Sequence, residues 1–211
     1  MKTRAVFLDA LGTLVELEPP WTRLACALGD TDGAPVEAAM RKEMAYYREH
    51  AHEGVDDETL AELRERCAAL LSRELGREVD VETMMSAIRF HPAADARPAL
   101  ARLRELGLTL VCVSNWDVSL SRVLEDAGLG DLLDGVVTSA GAGARKPAPA
   151  IFAAALELAG CDPGEALHVG DTPDEDVAGA EAAGIPALLL DRTAKDGDIA
   201  SLAEIELHLR A

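Results

Sequence analysis

Short apolar runs alternate with longer amphipathic stretches through most of the chain. The first run, at residues 5–8, ends at Asp9, which is typical of a buried strand that enters a turn. Four later runs have the same character and lie at residues 110–113, 136–138, 167–169 and 187–190. Helical patterns separate them, at residues 95–106, 119–127, 149–159 and 175–183, and a last amphipathic helix follows the fifth strand. This alternation predicts an α/β fold, in which a doubly wound, Rossmann-like sheet of five parallel strands carries helices on both faces.

The pattern between residues 17 and 90 is different, because apolar residues recur there at the three- and four-residue spacing of helices. Val36 and Met40, for example, fall on one apolar face whose opposite side is charged. This block interrupts the first strand–helix crossover of the predicted sheet. We therefore expect two domains: an α/β core made of residues 1–16 and 91–211, and an all-helical insertion made of residues 17–90.

The composition is that of a globular protein and limits its partners. Of the 211 residues, 49% are apolar and 27% are charged, so a packed core can form. The formal net charge of −18 repels nucleic acid and anionic membranes, and we expect neither as a partner. No apolar stretch reaches the roughly 20 residues that a membrane span needs.

The four cysteines Cys26, Cys67, Cys112 and Cys161 are far apart and form no CxxC pair. This spacing favours reduced structural thiols over a disulfide framework or a zinc site. The lack of a spanning segment and of a secretory apolar region before Asp9 predicts a cytoplasmic protein.

Polar side chains follow four of the predicted strands at their carboxyl ends. Asp9 follows the first strand, Ser114 and Asn115 follow the second, Lys146 lies in the loop after the third, and Asp171 follows the fourth. Each alone has an ordinary explanation, since such residues also cap helices and turns or are solvated. Ligands of open α/β sheets bind at the carboxyl ends of the strands, so the ordered set favours one common site.

Four segments around these residues resemble the motifs of the haloacid dehalogenase-like hydrolase superfamily. They read FLDALGTL around Asp9, VSN ending at Asn115, RKP around Lys146, and VGDTPDED at residues 169–176. The resemblance extends over essentially the whole chain, and the block at residues 17–90 resembles the helical cap that the family inserts after the first strand. The expected protein is therefore a hydrolase with a capped Rossmann-like core.

The resemblance implies a carboxylate nucleophile at Asp9 and a Mg²⁺ ion beside it. The metal would be held by Asp9, the backbone carbonyl of Leu11 and Asp171. Asp176 would support the metal shell directly or through water, and Asp174 is a further candidate for that role. Acidic residues crowded around Asp9 would repel one another without a cation, which independently favours a metal.

Phosphoryl transfer needs an in-line nucleophile and positive charge spread around the transferred oxygens. Lys146 would supply a point charge for this purpose, and we expect Ser114 and Asn115 to bind the phosphate. The loop at Gly12 and Thr13 would complete the phosphate site with backbone N–H groups. The predicted activity is therefore that of a Mg²⁺-dependent phosphatase that acts on a small phosphorylated metabolite through an aspartyl-phosphate at Asp9.

One position departs from the family pattern of phosphatases, which carry a second aspartate two residues after the nucleophile as general acid and base. That position is Leu11 here, and the loss of such a group costs ~10²–10⁴ in rate. A phosphatase with leucine at this position could have low activity or could act only on substrates with activated leaving groups. Another acid, such as Glu16, Glu18 or a cap residue, could also replace the missing proton donor. The alternatives are a 2-haloacid dehalogenase-type hydrolase, whose halide leaves without a proton, and a non-catalytic protein that binds a phosphorylated ligand or a partner.

Overall fold

The computed structural model of the protein describes residues 2–30, 33–193 and 195–209. Its strands are β1 (Ala5–Leu8), β2 (Val15–Leu17), β3 (Phe90–Pro92), β4 (Thr109–Ser114), β5 (Gly135–Thr138), β6 (Ala166–Gly170) and β7 (Ala187–Leu189). Five of them form a parallel sheet in the order β5-β4-β1-β6-β7. The prediction of a five-stranded, doubly wound α/β core is thus confirmed.

Ten α-helices lie within the described residues. They are α1 (Pro20–Leu28), α2 (Ala34–His50), α3 (Asp57–Leu75), α4 (Val81–Ala87), α5 (Ala96–Glu105), α6 (Leu120–Asp126), α7 (Ser139–Ala142), α8 (Pro149–Ala159), α9 (Ala178–Ala182) and α10 (Ile205–His208). Helices α5, α6 and α10 pack on one face of the parallel sheet, and α8 and α9 pack on the other.

The sheet has an apolar core on each face because neighbouring side chains of a strand point in opposite directions. In β1, Val6 and Leu8 join the cluster under α5 and α6, whereas Ala5 and Phe7 join the cluster under α8. A strand buried on both faces has to be apolar at every position. This explains why β1 is a continuous apolar run rather than an alternating one.

Helices α1 to α4 pack around an apolar cluster of their own, which includes Leu24, Met40 and Leu71. The sequence defines the helix ends locally. Asp56 and Asp80 each accept a hydrogen bond at the start of α3 and α4, respectively, from the backbone N–H three residues later. The block between β2 and β3 is therefore helical, with a core distinct from the two that line the sheet.

Three local features differ from the sequence reading. Residues 15–17 and 90–92 pair as a short antiparallel ribbon, β2 with β3; three residues are too few to produce a recognisable alternation. The helix expected at residues 175–183 is split into a wide π-helical turn at residues 173–177 and the α-helix α9. The last helix is short, since α10 spans only Ile205–His208.

No helix of the ranges 2–30, 33–193 and 195–209 has both the length and the apolar character that crossing a bilayer requires. All four cysteines are free thiols.

Candidate active site

Asp9 lies at the carboxyl edge of the sheet, directly after the central strand β1. Its backbone N–H donates a hydrogen bond of 2.9 Å to the carbonyl of Val169 in β6. Its Oδ1 atom accepts a hydrogen bond of 2.9 Å from the hydroxyl of Ser114 at the end of β4. The two neighbouring strands therefore fix both the main chain and the carboxylate of Asp9, as the parallel topology predicts.

Lys146 reaches this carboxylate from the loop after β5. Its ammonium Nζ lies 2.6 Å from Asp9 Oδ1 and 2.5 Å from Asp176 Oδ1, and the residue is only 1% exposed. Burial alone would lower the pKa of Lys146, but the charges of Asp9 and Asp176 outweigh burial and raise it. The lysine therefore stays charged at neutral pH. Burial raises the pKa of Asp9, and Lys146 and Ser114 oppose that shift.

Asp176 has hydrogen-bond donors on both carboxylate oxygens. Oδ1 is shared by Lys146 and by Nε2 of His168, at 2.9 Å, and Oδ2 accepts the backbone N–H of Thr172 at 3.0 Å. Burial disfavours the charged form, but His168 and Lys146 overcome it and hold the pKa of Asp176 below its usual range. Asp176 is thus an ionised anchor for Lys146. Residue 170 is glycine because a Cβ there would overlap the Asp176 carboxylate.

His168 is a site residue that the sequence reading missed. It lies in the middle of β6, is fully buried, and packs edge-on against Phe152 with ring centroids 5.2 Å apart. Burial lowers the pKa of His168 despite the neighbouring Asp176. A histidine inside an otherwise apolar strand needs a polar partner, and that is the signal in the sequence that could have identified it.

Asp171 differs from its neighbours because no cationic side chain among the described residues pairs with it. Burial and the charges of Asp9 and Asp176 raise the pKa of Asp171 to about 6. One oxygen from each of these three carboxylates falls within 4.8 Å of the others. The site therefore carries negative charge that its own lysine does not fully neutralise.

The donor set fits a small, hard cation such as Mg²⁺, which prefers oxygen ligands. Within the described residues, no hydrogen bond reaches Asp9 Oδ2 or the backbone carbonyl of Leu11. Gly12 provides the space on this side: it has φ +88°, and a Cβ there would overlap the carboxylate of Asp171. Gly12 therefore lies against the carboxylate of Asp171, which forms the three-acid cluster with Asp9 and Asp176. Asp174, the further candidate, is exposed on the adjoining turn.

The loop after Asp9 is tightly folded on itself. The N–H of Gly12 donates to the carbonyl of Val15 at 2.8 Å, and the N–H of Thr13 donates to the carbonyl of Ala10 at 3.3 Å. The hydroxyl of Thr13 is buried and has no hydrogen-bond partner among the described residues. The Leu11 side chain is half-buried and packs against the apolar core under α5 and α6.

Asn115 interacts with the main chain of Lys146 rather than pointing freely into the site. Its Oδ1 accepts the Lys146 N–H at 2.7 Å, and its Nδ2 donates to the Lys146 carbonyl at 3.1 Å. The second Nδ2 hydrogen donates to Glu175 at 2.9 Å. The amide that we expected to bind phosphate is therefore used within the protein, in a pairing that depends on tertiary contact.

Two acids considered as substitutes for the missing general acid lie near β2. Glu16 accepts a hydrogen bond of 3.2 Å from His91 across the β2–β3 ribbon. Glu18 is bound by Arg23, which lowers the pKa of its carboxyl. A lowered pKa makes Glu18 a poor proton donor at neutral pH.

Comparison with known proteins identifies the family and the fold. A family model described as haloacid dehalogenase-like hydrolase matches residues 3–184. A phosphatase of Mycobacterium tuberculosis, named MT3486, is 31% identical over 215 residues, which span 97% of this chain and 96% of that protein. The solved L-2-haloacid dehalogenase of Xanthobacter autotrophicus is 24% identical, covers 96% of each chain and has a TM-score of 0.70, which supports the fold alone.

A second relative matches only in part. Haloacid dehalogenase-like hydrolase domain-containing protein 3 of Bos taurus is 42% identical over 95 residues. The match spans 45% of this chain and 38% of the bovine protein, so this chain corresponds to well under two thirds of that relative.

Proposed function

We propose that this chain, which belongs to the haloacid dehalogenase-like hydrolase family, is a Mg²⁺-dependent phosphatase that transfers a phosphoryl group from a small substrate to Asp9. The observation that carries the proposal is the asymmetry of the Asp9 carboxylate. Oδ1 is held by Ser114 and Lys146, whereas Oδ2 accepts no hydrogen bond within the described residues. A carboxylate that is held in one orientation and still has an unoccupied oxygen can take part both in metal binding and in in-line attack.

In the proposed reaction, the Asp9 carboxylate attacks phosphorus, the bond to the leaving oxygen breaks, and the phosphoryl group becomes attached to Asp9. Water then attacks phosphorus, releases inorganic phosphate and restores the carboxylate. Lys146 and the Ser114 hydroxyl stabilise the negative charge that spreads over the transferred oxygens. Mg²⁺, held by Asp9, Asp171 and the Leu11 carbonyl, would neutralise substrate charge and align the phosphorus with the nucleophile.

The Leu11 side chain restricts the proposed substrates. It cannot donate a proton to the leaving oxygen, so phosphates whose leaving group departs as a stable anion should react best. Aryl and acyl phosphates belong to this class, and simple alkyl phosphates do not. We therefore propose a specialised phosphatase for small activated phosphate esters or anhydrides.

Residues 17–90 would form the cap of this enzyme, and residues 1–16 and 91–211 its core. The helical block has its own apolar cluster, which supports the division. It also contacts the core at the loop after β4, where the Val118 N–H donates to the Gly54 carbonyl at 2.9 Å. Two further statements stay predictions from the sequence: that nucleic acid is not a partner, from the net charge, and that the protein is cytoplasmic, from the lack of a spanning or secretory segment.

The test is a substrate screen with and without Mg²⁺. We expect Mg²⁺-dependent release of phosphate from 4-nitrophenyl phosphate and acetyl phosphate, and little from glycerol phosphate. Asp9→Asn preserves the side-chain shape and should lower turnover by at least ~10³-fold while the protein still folds. Metal-independent halide release from a 2-haloacid would instead establish a dehalogenase. Folded protein without turnover of any of these compounds would leave a ligand-binding role.

A further inference from the structure

Other side chains bind both the ammonium group and the main chain of Lys146. Its ammonium is fixed by Asp9 and Asp176, at 2.6 and 2.5 Å. Its peptide groups are fixed by the side-chain amide of Asn115, which accepts the Lys146 N–H and donates to the Lys146 carbonyl. Because the main chain of Lys146 lies in a loop, this second attachment determines the direction from which the side chain enters the site.

Glu175 binds the remaining donor of that amide. Its Oε2 accepts Asn115 Nδ2 at 2.9 Å, and its Oε1 accepts a guanidinium N–H of Arg145 at 3.3 Å. Glu175 also directly precedes Asp176 in the wide turn at residues 173–177. Two consecutive residues of one turn therefore act on Lys146. Glu175 contacts Asn115, which binds the Lys146 main chain, and Asp176 binds the Lys146 ammonium directly.

An amide side chain has a donor end and an acceptor end, and nothing in its shape distinguishes them. A carboxylate can only accept, so Glu175 reinforces the orientation in which Asn115 Nδ2 faces it, the same one that the Lys146 N–H and carbonyl favour. That orientation directs Oδ1 towards the Lys146 N–H. In the flipped orientation, the amide NH₂ would face a backbone N–H, and two donors would meet.

We propose that Glu175 is a positioning residue that fixes the Asn115 amide and, through it, places Lys146 against Asp9. Glu175 is half-buried at the rim of the turn and contacts Asn115 rather than Asp9. Its contribution to turnover rests on the proposed function, whereas its effect on Lys146 does not. The two parts therefore need separate readouts.

The first readout is nuclear magnetic resonance of protein labelled with ¹⁵N-lysine, in the absence of substrate. The chain has only four lysines, Lys2, Lys42, Lys146 and Lys195, so the ammonium signals are few. Lys146 is buried between two carboxylates and should give a slowly exchanging signal, which Lys146→Met assigns by its loss. Glu175→Ala should shift or broaden this signal. Glu175→Gln keeps an acceptor oxygen for Asn115 and should largely restore it.

The second readout is kcat/KM for 4-nitrophenyl phosphate with Mg²⁺. Glu175→Ala should lower it by about 10-fold, because small misplacements of a charged group at a reacting centre are costly. Glu175→Gln should stay within about 3-fold of the parent protein. In a Lys146→Met background, Glu175→Ala should change kcat/KM by less than about 2-fold, since residues that act through one group are not additive.

Glu181→Ala is the matched control. This glutamate is exposed on α9, six residues after Glu175, and its replacement should alter neither readout. An unchanged Lys146 signal in folded Glu175→Ala would overturn the proposal, as would a full additional loss of activity in the Lys146→Met background. If the parent protein turns over no phosphate ester, the proposed function fails, and the Lys146 signal alone then decides the positioning role.

Discussion

The phenol of Tyr47 on α2 donates a hydrogen bond of 2.6 Å to Oδ2 of Asp117, two residues after Asn115. Asp117 is only 2% exposed, and its other oxygen accepts the backbone N–H of Ser119 at 2.7 Å. Burial and the Asp117 charge raise the pKa of Tyr47 well above its usual value, so the phenol keeps its proton. The helical block is thus attached to the core by a partly buried, charge-assisted hydrogen bond.

Tyr47→Phe should destabilise the protein by about 1–3 kcal/mol, because one Asp117 oxygen would be left buried without its donor. For a chain of this size, each kcal/mol lowers the melting temperature by roughly 2–4 °C. Tyr46→Phe is the matched control, since the Tyr46 hydroxyl only accepts a hydrogen bond of 3.2 Å from Arg66 at an exposed position. Equal melting temperatures for the two variants would contradict the importance of the Asp117 contact.

Asp171→Asn should have opposite effects on stability with and without Mg²⁺. Without the metal, it removes a carboxylate that Asp9 and Asp176 repel. The gain should be roughly 1 kcal/mol or less, because Asp171 is partly solvated. With the metal at about 100 times its dissociation constant, the parent protein should gain ~2.7 kcal/mol, which the variant should largely lose. Thermal melts of both proteins measure this, and equal Mg²⁺ stabilisation would remove Asp171 from the metal site.

Leu11→Asp should raise phosphatase activity, and more for glycerol phosphate than for 4-nitrophenyl phosphate, because the alkoxide needs a proton more. The gain could recover part of the ~10²–10⁴ that general acid catalysis contributes. Leu11→Asn is the control, since it matches the shape of aspartate but has no carboxyl proton to transfer. Leu11 also packs against the apolar core, so melting temperatures must accompany the rates. A folded Asp variant no faster than the Asn variant would mean that Leu11 does not replace a general acid.

Glu43→Gln should change how stability depends on pH. Glu43 is 6% exposed among helices α1 to α4; burial raises its pKa, and the Cys67 thiol only partly opposes this. Above the ordinary value of 4.5, the unfolded chain releases this proton more readily than the folded one. Stability therefore falls as pH rises from 4.5 towards the raised folded-state pKa.

The melting temperature of Glu43→Gln minus that of the parent protein should accordingly increase with pH over this interval. The exposed Glu62 on the neighbouring helix α3 offers the same chemical change without burial. Glu62→Gln is the exposed control, and its melting-temperature difference should not reproduce the pH dependence of Glu43→Gln. A flat difference for both variants would show that Glu43 does not titrate abnormally.

The sequence was sufficient for the architecture because periodicity is a local property. The apolar run of β1 predicted a strand buried on both faces, and the strand-end rule brought Asp9, Ser114 and Asp171 to one edge. The same rule could not predict what each side chain would contact there. Asn115 binds the main chain of Lys146, 31 positions away in sequence, and no local pattern records such a pairing.

Other contacts were missed because they depend on how two elements pack. His168 reaches Asp176 only because the wide turn after β6 folds back over the strand. The partner of Tyr47 is 70 positions away, and helix periodicity cannot identify such a partner. The β2–β3 ribbon is absent from the sequence reading because each strand has only three residues.

The single ammonium shared by Asp9 and Asp176 has a thermodynamic consequence. With Asp171 nearby, one positive and three negative side chains leave the cluster anionic when all are ionised. A phosphate group entering the proposed site would then meet net repulsion unless a cation entered too. In the proposed enzyme, metal and substrate affinities would therefore be linked, and each should strengthen the other by the same factor. An excess of negative charge near the nucleophile would thus make phosphate binding responsive to the free Mg²⁺ concentration.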